Sequence, residues 1–410
     1  MNELVNKIEA HNDRQLNPVP GIRLAAVAGG IRYENKLDLV VIELAESTRF
    51  SAVFTRNAFC AAPVTLARSH LVSTTPRYLL INTGNANAGT GEKGTQDAIS
   101  CCEALAKLTQ SEVQEILPFS TGVIGEYLPV DKVTAGLPMA LDTLTEANWW
   151  PAAQGIMTTD TCPKARSLVL DVDGTPVTIT GIAKGAGMIR PDMATMLAFV
   201  FTDADIEKHM LNDLLVEVVD QSFNRITVDG DTSTNDSCVL AATGLSGVSI
   251  SRQNDESFHI FKSGLSEVFQ QLAQDIIRDA EGATKFITIN VVNGENNSEC
   301  LQVAYAIAES PLVKTAFFAS DPNWGRILAV VGRAGLKELD ISKVSISLGE
   351  TLLVEAGGIA PSYTEVRGQF EMDKDAIVVT IDLDRGGAAE TVWTSDLSHD
   401  YIRINAEYRT

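Results

Sequence analysis

The stretch from Ala194 to Phe201, Ala-Thr-Met-Leu-Ala-Phe-Val-Phe, is apolar at every position but one and reads as a buried strand over 194–202. It is entered through a glycine-rich lead, Lys184-Gly185-Ala186-Gly187-Met188-Ile189-Arg190-Pro191-Asp192-Met193, in which Gly185 and Gly187 allow a tight backbone path and Pro191 fixes φ. Thr195, the exception, has two readings. It is a β-branched residue placed for strand propensity, or it is a latent nucleophile. If the Ala194-Thr195 bond breaks, Thr195 gains its own α-amine as a base beside Oγ, and Ala194 is small enough to leave the attacked carbonyl open. That amine titrates near roughly 7.7 to 8.0 against about 10.4 for lysine, so at neutral pH its neutral fraction is a few hundredfold larger.

The elements around this run mix helix and strand. Residues 36–43 and 78–82 read as strands, 96–108 as an amphipathic helix, and 168–172 with 176–182 as a hairpin about Asp173-Gly174. Residues 205–224 and 264–279 read as helices, 285–292 as a strand, 300–309 as a helix, and 343–348 and 376–382 as strands of a second unit. No clean βαβα period runs through them, and two packed sheets covered by helices fit the succession. At 410 residues the chain has room for two or three domains, and no repeat or low-complexity segment divides it.

Composition narrows the function classes. No apolar run approaches the roughly 18 residues of a membrane span, so a membrane protein is not expected. The first ten residues carry acids early and lack the features of a signal or transit peptide, which predicts a cytoplasmic protein. Cys60, Cys101, Cys102, Cys162, Cys238 and Cys300 form no Cys-x-x-Cys pair and read as reduced, mostly buried thiols. The five histidines have no metal-ligand spacing, so no metal is expected. A formal net charge of -21 repels nucleic acid and acidic metabolites alike. A site for an acidic metabolite therefore needs a cation placed by the fold, and Lys184 is the candidate.

Several short motifs could carry chemistry, each beside a plainer reading. Ser120-Thr121-Gly122 reads as a polar turn after strand-like Ile116-Leu117, and a threonine hydroxyl plus a glycine N–H could face an oxyanion. Met157-Thr158-Thr159-Asp160-Thr161 could bind a polar substrate, although a helix cap or ST-turn explains it more simply. Asp279-Ala280-Glu281-Gly282 ends a long helix, with Gly282 as its C-cap and Glu281 either facing a substrate ammonium or solvated. Gly84 to Gly91 lacks the lysine of a phosphate loop, and Asp229 to Asp236 lacks the glycine and glutamate of a calcium loop. The latter is read as a polar loop.

Taken together, Lys184 to Leu197 resembles the processing-site motif of the ornithine acetyltransferase family, the bifunctional glutamate N-acetyltransferase/amino-acid acetyltransferases of arginine biosynthesis. The resemblance extends over Asn82 to Ala88, Ser120 to Gly122, Met157 to Asp160, Val228 to Asp236, Asp279 to Lys285, Asp321 to Arg326 and Asn405 to Thr410, essentially the whole chain. It implies an α+β fold, an αββα sandwich of the N-terminal-nucleophile-like type with different connectivity, plus a smaller C-terminal α/β domain. It also implies self-cleavage between Ala194 and Thr195 into an α chain (1–194) and a β chain (195–410) assembled as α2β2. Residues 1–282 would form the catalytic domain, 283–395 the smaller one and 396–410 a tail returning to the site.

Thr195 would be the acylated nucleophile, Thr121 and Gly122 the oxyanion hole, and Thr158, Lys184, Thr195, Glu281, Asn405 and Thr410 the substrate contacts. The implied reaction moves an acetyl group from N2-acetylornithine to glutamate by a ping-pong route without a cofactor, and acetyl-CoA is a possible second acetyl donor. On residues alone two rivals stand: an amidohydrolase or aminopeptidase with the same nucleophile, and a non-catalytic amino-acid-binding protein.

Overall fold

Along residues 197–202 the side chains alternate between two hydrophobic clusters: Leu197, Phe199 and Phe201 enter one, Ala198 and Val200 the other. Burial on both faces is what a continuous apolar run, rather than an alternating one, encodes. The structure, a computed structural model, describes residue 4 and residues 16–190, 196–253 and 255–407. Its first elements are β1 (Ile22–Val27), β2 (Leu39–Leu44), β3 (Arg49–Phe54), α1 (Ala62–Ser73), β4 (Tyr78–Asn85), α2 (Gly91–Thr109), β5 (Ile116–Val123), α3 (Val130–Asp142) and α4 (Trp149–Gly155). Next come β6 (Lys164–Val172), β7 (Thr175–Lys184), β8 (Leu197–Thr202), β9 (Asp205–Ile206), α5 (Lys208–Asp220), β10 (Ile226–Thr227), β11 (Ser237–Ala242), β12 (Ser249–Ile250) and α6 (Asp255–Arg278).

Two sheets, β1-β2-β4-β5 and β3-β11-β8-β7-β6, stack face to face. Val40, Ile42, Leu79, Ile81 and Phe119 of the first meet Ile182, Phe199, Phe201 and Val239 of the second. Phe119 and Phe199 meet edge to face at 5.1 Å and 89°, and Trp149 of α4 packs edge-on to Phe201 at 5.7 Å. Truncating Phe199 to alanine is worth about 3–5 kcal/mol. The outer face of the first sheet buries Leu39, Val41 and Leu80 against α2 and α3, and that of the second buries Ala198, Val200 and Leu240 against α5 and α6. Helix, sheet, sheet, helix is the expected αββα sandwich.

The remaining elements are β13 (Phe286–Gly294), α7 (Asn297–Ala308), α8 (Pro311–Phe318), α9 (Trp324–Arg333), β14 (Ser345–Leu348), β15 (Thr351–Glu355), β16 (Gly358–Ile359), α10 (Glu365–Met372), β17 (Ala376–Asp382), β18 (Ala388–Ser395) and α11 (His399–Ala406). Their sheet has the order β10-β18-β13-β17-β14-β15-β16, with its own core of Ile289, Val303, Ile307, Phe317, Val331 and Val379. β10 belongs to the chain segment before α6, so the third sheet is tied to the sandwich by a parallel pair, Ile226↔Trp393 and Thr227↔Thr394.

Most expected elements are present with longer or shifted ends, and the hairpin turns at Asp173 and Gly174 with positive φ at both. One reading changes and one is described only in part. Of the strand read over 194–202, residues 194 and 195 lie outside the described residues, and the strand runs from Leu197. The helix read over 205–224 is α5 alone, because 205–206 pairs with β12 and Ser222, at φ -134 and ψ -86, separates α5 from a 3-10 turn at 223–225.

Candidate active site

Strand register assembles the site. β7 sets Lys184 opposite Leu197 and β11 sets Ser237 opposite the same residue, so three strand ends finish side by side. Across the sandwich β5 presents Thr121, and Lys184 Nζ donates to Thr121 Oγ1 at 2.9 Å. A second strut comes from Asn235, whose Nδ2 donates to Ala86 O at 2.6 Å and Ser120 O at 2.9 Å. Side-chain hydrogen bonds thus bridge the sheets at this end, beside an otherwise apolar contact. Between them opens a cavity of about 280 Å³ lined by Thr121, Gly122, Thr158, Lys184, Met196, Asp236, Glu281 and Asn405 with their neighbours.

The polar turn expected at Ser120-Thr121-Gly122 is instead the end of β5, which continues to Val123 in parallel register with β4. The reason is a close approach of two backbones. Gly122 faces Gly84 where the ladder shifts register, it takes φ 136, and a Cβ there would run into the backbone of Gly84 and Asn85. Only glycine fits.

The cap reading of 157–161 also gives way, because the segment joins α4 to β6 and no helix follows it. Asp160 organises it. Its carboxylate accepts Thr158 N at 3.0 Å, Gly185 N at 2.7 Å and Lys164 Nζ at 2.7 Å, which ties Thr158 to the residue after Lys184. Lys164 is wholly buried and also pairs with Asp279 at 2.6 Å; Asp279 in turn accepts Thr161 N at 3.0 Å. Burial opposes the charge on both members of the Asp160–Lys164 pair, but the pairing prevails. Asp160 is held well below the usual carboxylate range by Lys164 and Lys184, and Lys164 is raised by Asp160 and Asp279.

Lys184 is shifted the other way. Its burial outweighs the nearby carboxylates of Asp160, Asp236 and Glu281 and lowers its pKa. Asp236, only 2% exposed, is pushed well above the carboxylate range by burial, which Ser233 and Lys184 offset only in part. It was legible in the sequence only as part of a polar loop.

Glu281 is 8% exposed, so it is not a solvated surface acid. Gly187 lies against its carboxylate so closely that a Cβ would collide, its N–H donates to Ala186 O at 2.9 Å, and Oε2 accepts Asn405 Nδ2 at 2.7 Å. α6 stops at Arg278, so Gly282 is not its C-cap; it packs beneath α11, where Ser398 Oγ donates to Gly282 O at 2.6 Å. Asp229 joins the same tail to the segment after Lys184, accepting Met188 N at 2.7 Å, Ile189 N at 3.0 Å and Tyr401 Oη at 3.1 Å.

The structure therefore brings Thr121, Gly122, Thr158, Lys184, Glu281 and Asn405 to one cavity from five separate stretches of chain. Ala194, Thr195 and Thr410 lie outside the described residues. Met196, the residue after Thr195, lines the cavity.

The model of the ArgJ family matches residues 23–410. The arginine biosynthesis bifunctional protein ArgJ of Pseudomonas fluorescens is 53% identical over 396 residues, covering 96% of this chain and 98% of that one. Its counterpart in Methylococcus capsulatus is 54% identical over 399 residues, covering 97% and 98%. The crystal structure of the bifunctional protein from Bacillus halodurans is similar at 35% identity and a TM-score of 0.49, covering 51% of this chain and 97% of that one. With a family model spanning nearly its whole length and relatives this similar over all but a few residues, the chain belongs to the ArgJ family.

Proposed function

We propose that this protein transfers an acetyl group from N2-acetylornithine to glutamate through an O-acetyl-Thr195 intermediate, after cleaving itself at Ala194-Thr195. The observation that supports it most is the convergence on one cavity of six candidate residues with Met196. In this reading the freed Thr195 amine takes the Oγ proton and Oγ attacks the acetyl carbonyl. Thr121 Oγ1 and the Gly122 N–H face the oxyanion. A hydroxyl that accepts from the Lys184 ammonium keeps its own proton free to donate, so the 2.9 Å bond suits Thr121 to that task. Lys184 also offers the positive charge for an α-carboxylate common to both amino acids. Glu281, with Asn405, offers a carboxylate for a side-chain ammonium, and Thr158 and Thr410 complete the contacts. Ornithine departs, glutamate takes the acetyl group, and no cofactor takes part.

Acetyl-CoA as a second donor is proposed as the other of the two functions to which the relatives' names refer. The mature protein is proposed to be a cytoplasmic α2β2 assembly of chains 1–194 and 195–410, with 1–282 carrying catalysis, 283–395 a smaller domain and 396–410 the returning tail. Intact-mass measurement tests the cleavage: wild type gives two fragments, the second beginning at Thr195, and Thr195→Ala gives one. Supplying N2-acetylornithine with glutamate then yields N-acetylglutamate. Accumulation of acetate would mean a hydrolase, and an uncleaved, inert wild type would reduce the protein to a binder.

A further inference from the structure

A second cavity, of about 170 Å³, adjoins the first and shares Gly122, Val123, Thr158 and Thr159 with it. Beyond them it is walled by Arg32, Tyr33, Lys36 and Asp38 from the β1–β2 connection and by apolar Met157 and Ile404. The charges on this wall are not matched to one another. Asp38 accepts Gly29 N and Ile31 N at 2.6 Å each, so its carboxylate is spent on the backbone of its own loop. Lys36 Nζ donates to a neutral acceptor, Thr158 O, at 3.2 Å and forms no ion pair among the described residues. Arg32 meets Glu126 at 2.9 Å in a surface pair, which contributes little and exchanges easily for a stronger anion. Tyr33 is 52% exposed, with the Arg32 guanidinium 5.8 Å from its ring centre.

In a chain with a net charge of -21, a cavity wall that offers two cations and no unspent carboxylate among the described residues is an anion site. Its volume is below the roughly 300 Å³ of a site that engulfs a drug-sized ligand, so it takes one end of a ligand whose remainder crosses the rim. Position says which end. Gly122, whose N–H is proposed to face the oxyanion, bounds both cavities. An acyl carbonyl held there has two ways out for its leaving group. One leads into the first cavity, toward Lys184 and Glu281, and suits an amino acid. The other passes Met157 and Ile404 toward two cations and an exposed ring, and suits a thin arm that carries phosphates and a flat base. The Glu281 carboxylate would repel those phosphates from the first path.

We propose that the second cavity receives the leaving group of a thioester donor, acetyl-CoA, with the thiol end of the arm beside Met157 and Ile404, the phosphates on Arg32 and Lys36, and the adenine on the Tyr33 ring. The inference rests on the acetyl-transfer reading. Thr195 Oγ bonds the acetyl carbon, the C–S bond breaks, and the sulfur leaves as a thiol with the proton that Oγ gave to the Thr195 amine. Glutamate then takes the acetyl group as it does after N2-acetylornithine. Two donors with unlike leaving groups thus reach one nucleophile from two sides, each with its own cations.

The test measures kcat/KM for acetyl-CoA and for N2-acetylornithine, each with glutamate as acceptor. Arg32→Gln and Lys36→Gln should each lose about tenfold with acetyl-CoA, mainly through KM, and the double variant about 50-fold. Tyr33→Ala should lose about fivefold, the worth of a stacked base, and Arg32→Lys, which keeps the charge, should stay within about threefold of wild type. Every variant should keep transfer from N2-acetylornithine within about threefold; the glutamine of Lys36→Gln still has an N–H for Thr158 O. Equal losses with both donors would mean that the loop only supports the site, and would overturn the assignment. So would an unchanged acetyl-CoA value in the double variant or in Tyr33→Ala, or a loss in Arg32→Lys as large as in Arg32→Gln. A wild type that uses N2-acetylornithine but not acetyl-CoA overturns it too, while leaving the acetyl-transfer reading intact. A wild type that uses neither donor sinks that reading itself.

Discussion

Lys164 and Lys184 sit almost side by side, since β6 and β7 pair Lys164 with Ala183, yet they are held in opposite ways. Lys164 is wholly buried between two carboxylates, and its charge is consumed by the protein. Lys184 forms no ion pair among the described residues; its Nζ meets a neutral hydroxyl at the edge of a cavity. The pKa directions follow, raised for the first and lowered for the second. A cluster whose charges cancel internally is architecture, whereas one whose charge is left open at a cavity can receive a charged ligand. The acids divide likewise. Asp160 and Asp279 saturate Lys164, while Asp236 keeps one oxygen with no partner among the described residues.

The contrast can be broken most decisively at Lys164. Lys164→Met leaves Asp160 and Asp279 facing each other in the interior, and breaking a buried pair from one side costs about 3–5 kcal/mol. Urea unfolding of the purified variant should show that loss, and a change under 1 kcal/mol would mean that the clamp is not structural. Lys184→Met should do the reverse. Stability should move by no more than about 1 kcal/mol, because no buried counter-charge is orphaned, but kcat/KM for both amino-acid substrates should fall about 100-fold, equivalent to about 2.7 kcal/mol. If the lysine only holds a carboxylate, KM takes the loss; if it also orients Thr121, kcat falls too. Normal kcat/KM for both would remove Lys184 from the site.

The sandwich was legible because its signal is additive. The run Leu197-Ala-Phe-Val-Phe and the strand Leu39-Val-Val-Ile can be satisfied only by apolar layers on both faces, and any covering layer suffices to reveal the pattern. The site residues were legible through resemblance more than through local pattern, since Thr121, Lys184 and Glu281 each have an ordinary reading in isolation. What stayed hidden depends on register. Gly122 looked like a turn because nothing near it in sequence reveals that Gly84 lies across the ladder, and Lys164 drew no reading because its partner Asp279 is more than a hundred positions away. Asp236 left one faint sign: an acid placed directly before a wholly buried strand.

Below these effects lies one of pH, in which the two clusters should carry opposite signs. Asp160 is depressed, so its contribution is complete above the unfolded carboxylate pKa of about 3.9 and is lost as pH falls through and below it. Asp236 is raised, so between about 3.9 and its folded value the native state holds a proton that the unfolded state has released, and stability falls as pH rises. One proton can give a slope of at most about 1.4 kcal/mol per pH unit. Urea titrations from pH 4 to 8 should therefore show a flatter profile for Asp236→Asn than for wild type, and identical profiles would mean that Asp236 ionises like a surface acid.

The smallest effect belongs to the tail. Asn405 is exposed, and among the described residues its 2.7 Å bond to Glu281 is the one hydrogen bond that links it to the cavity wall. Asn405→Ala leaves Glu281 buried with one donor fewer, but the residue lies on the last helix described, and α11 is anchored separately by Tyr401 on Asp229 and by Ser398 on Gly282. The fold should keep its stability within about 0.5 kcal/mol. A single part-buried hydrogen bond is worth about 1 kcal/mol, so KM for N2-acetylornithine should rise about fivefold with kcat unchanged. Glutamate brings a carboxylate where ornithine brings an ammonium, so its KM should respond differently to the same change. Equal shifts for both substrates would indicate that Asn405 only closes the cavity, whereas a shift confined to the ammonium-bearing substrate would make the Glu281–Asn405 pair the element that tells the two apart.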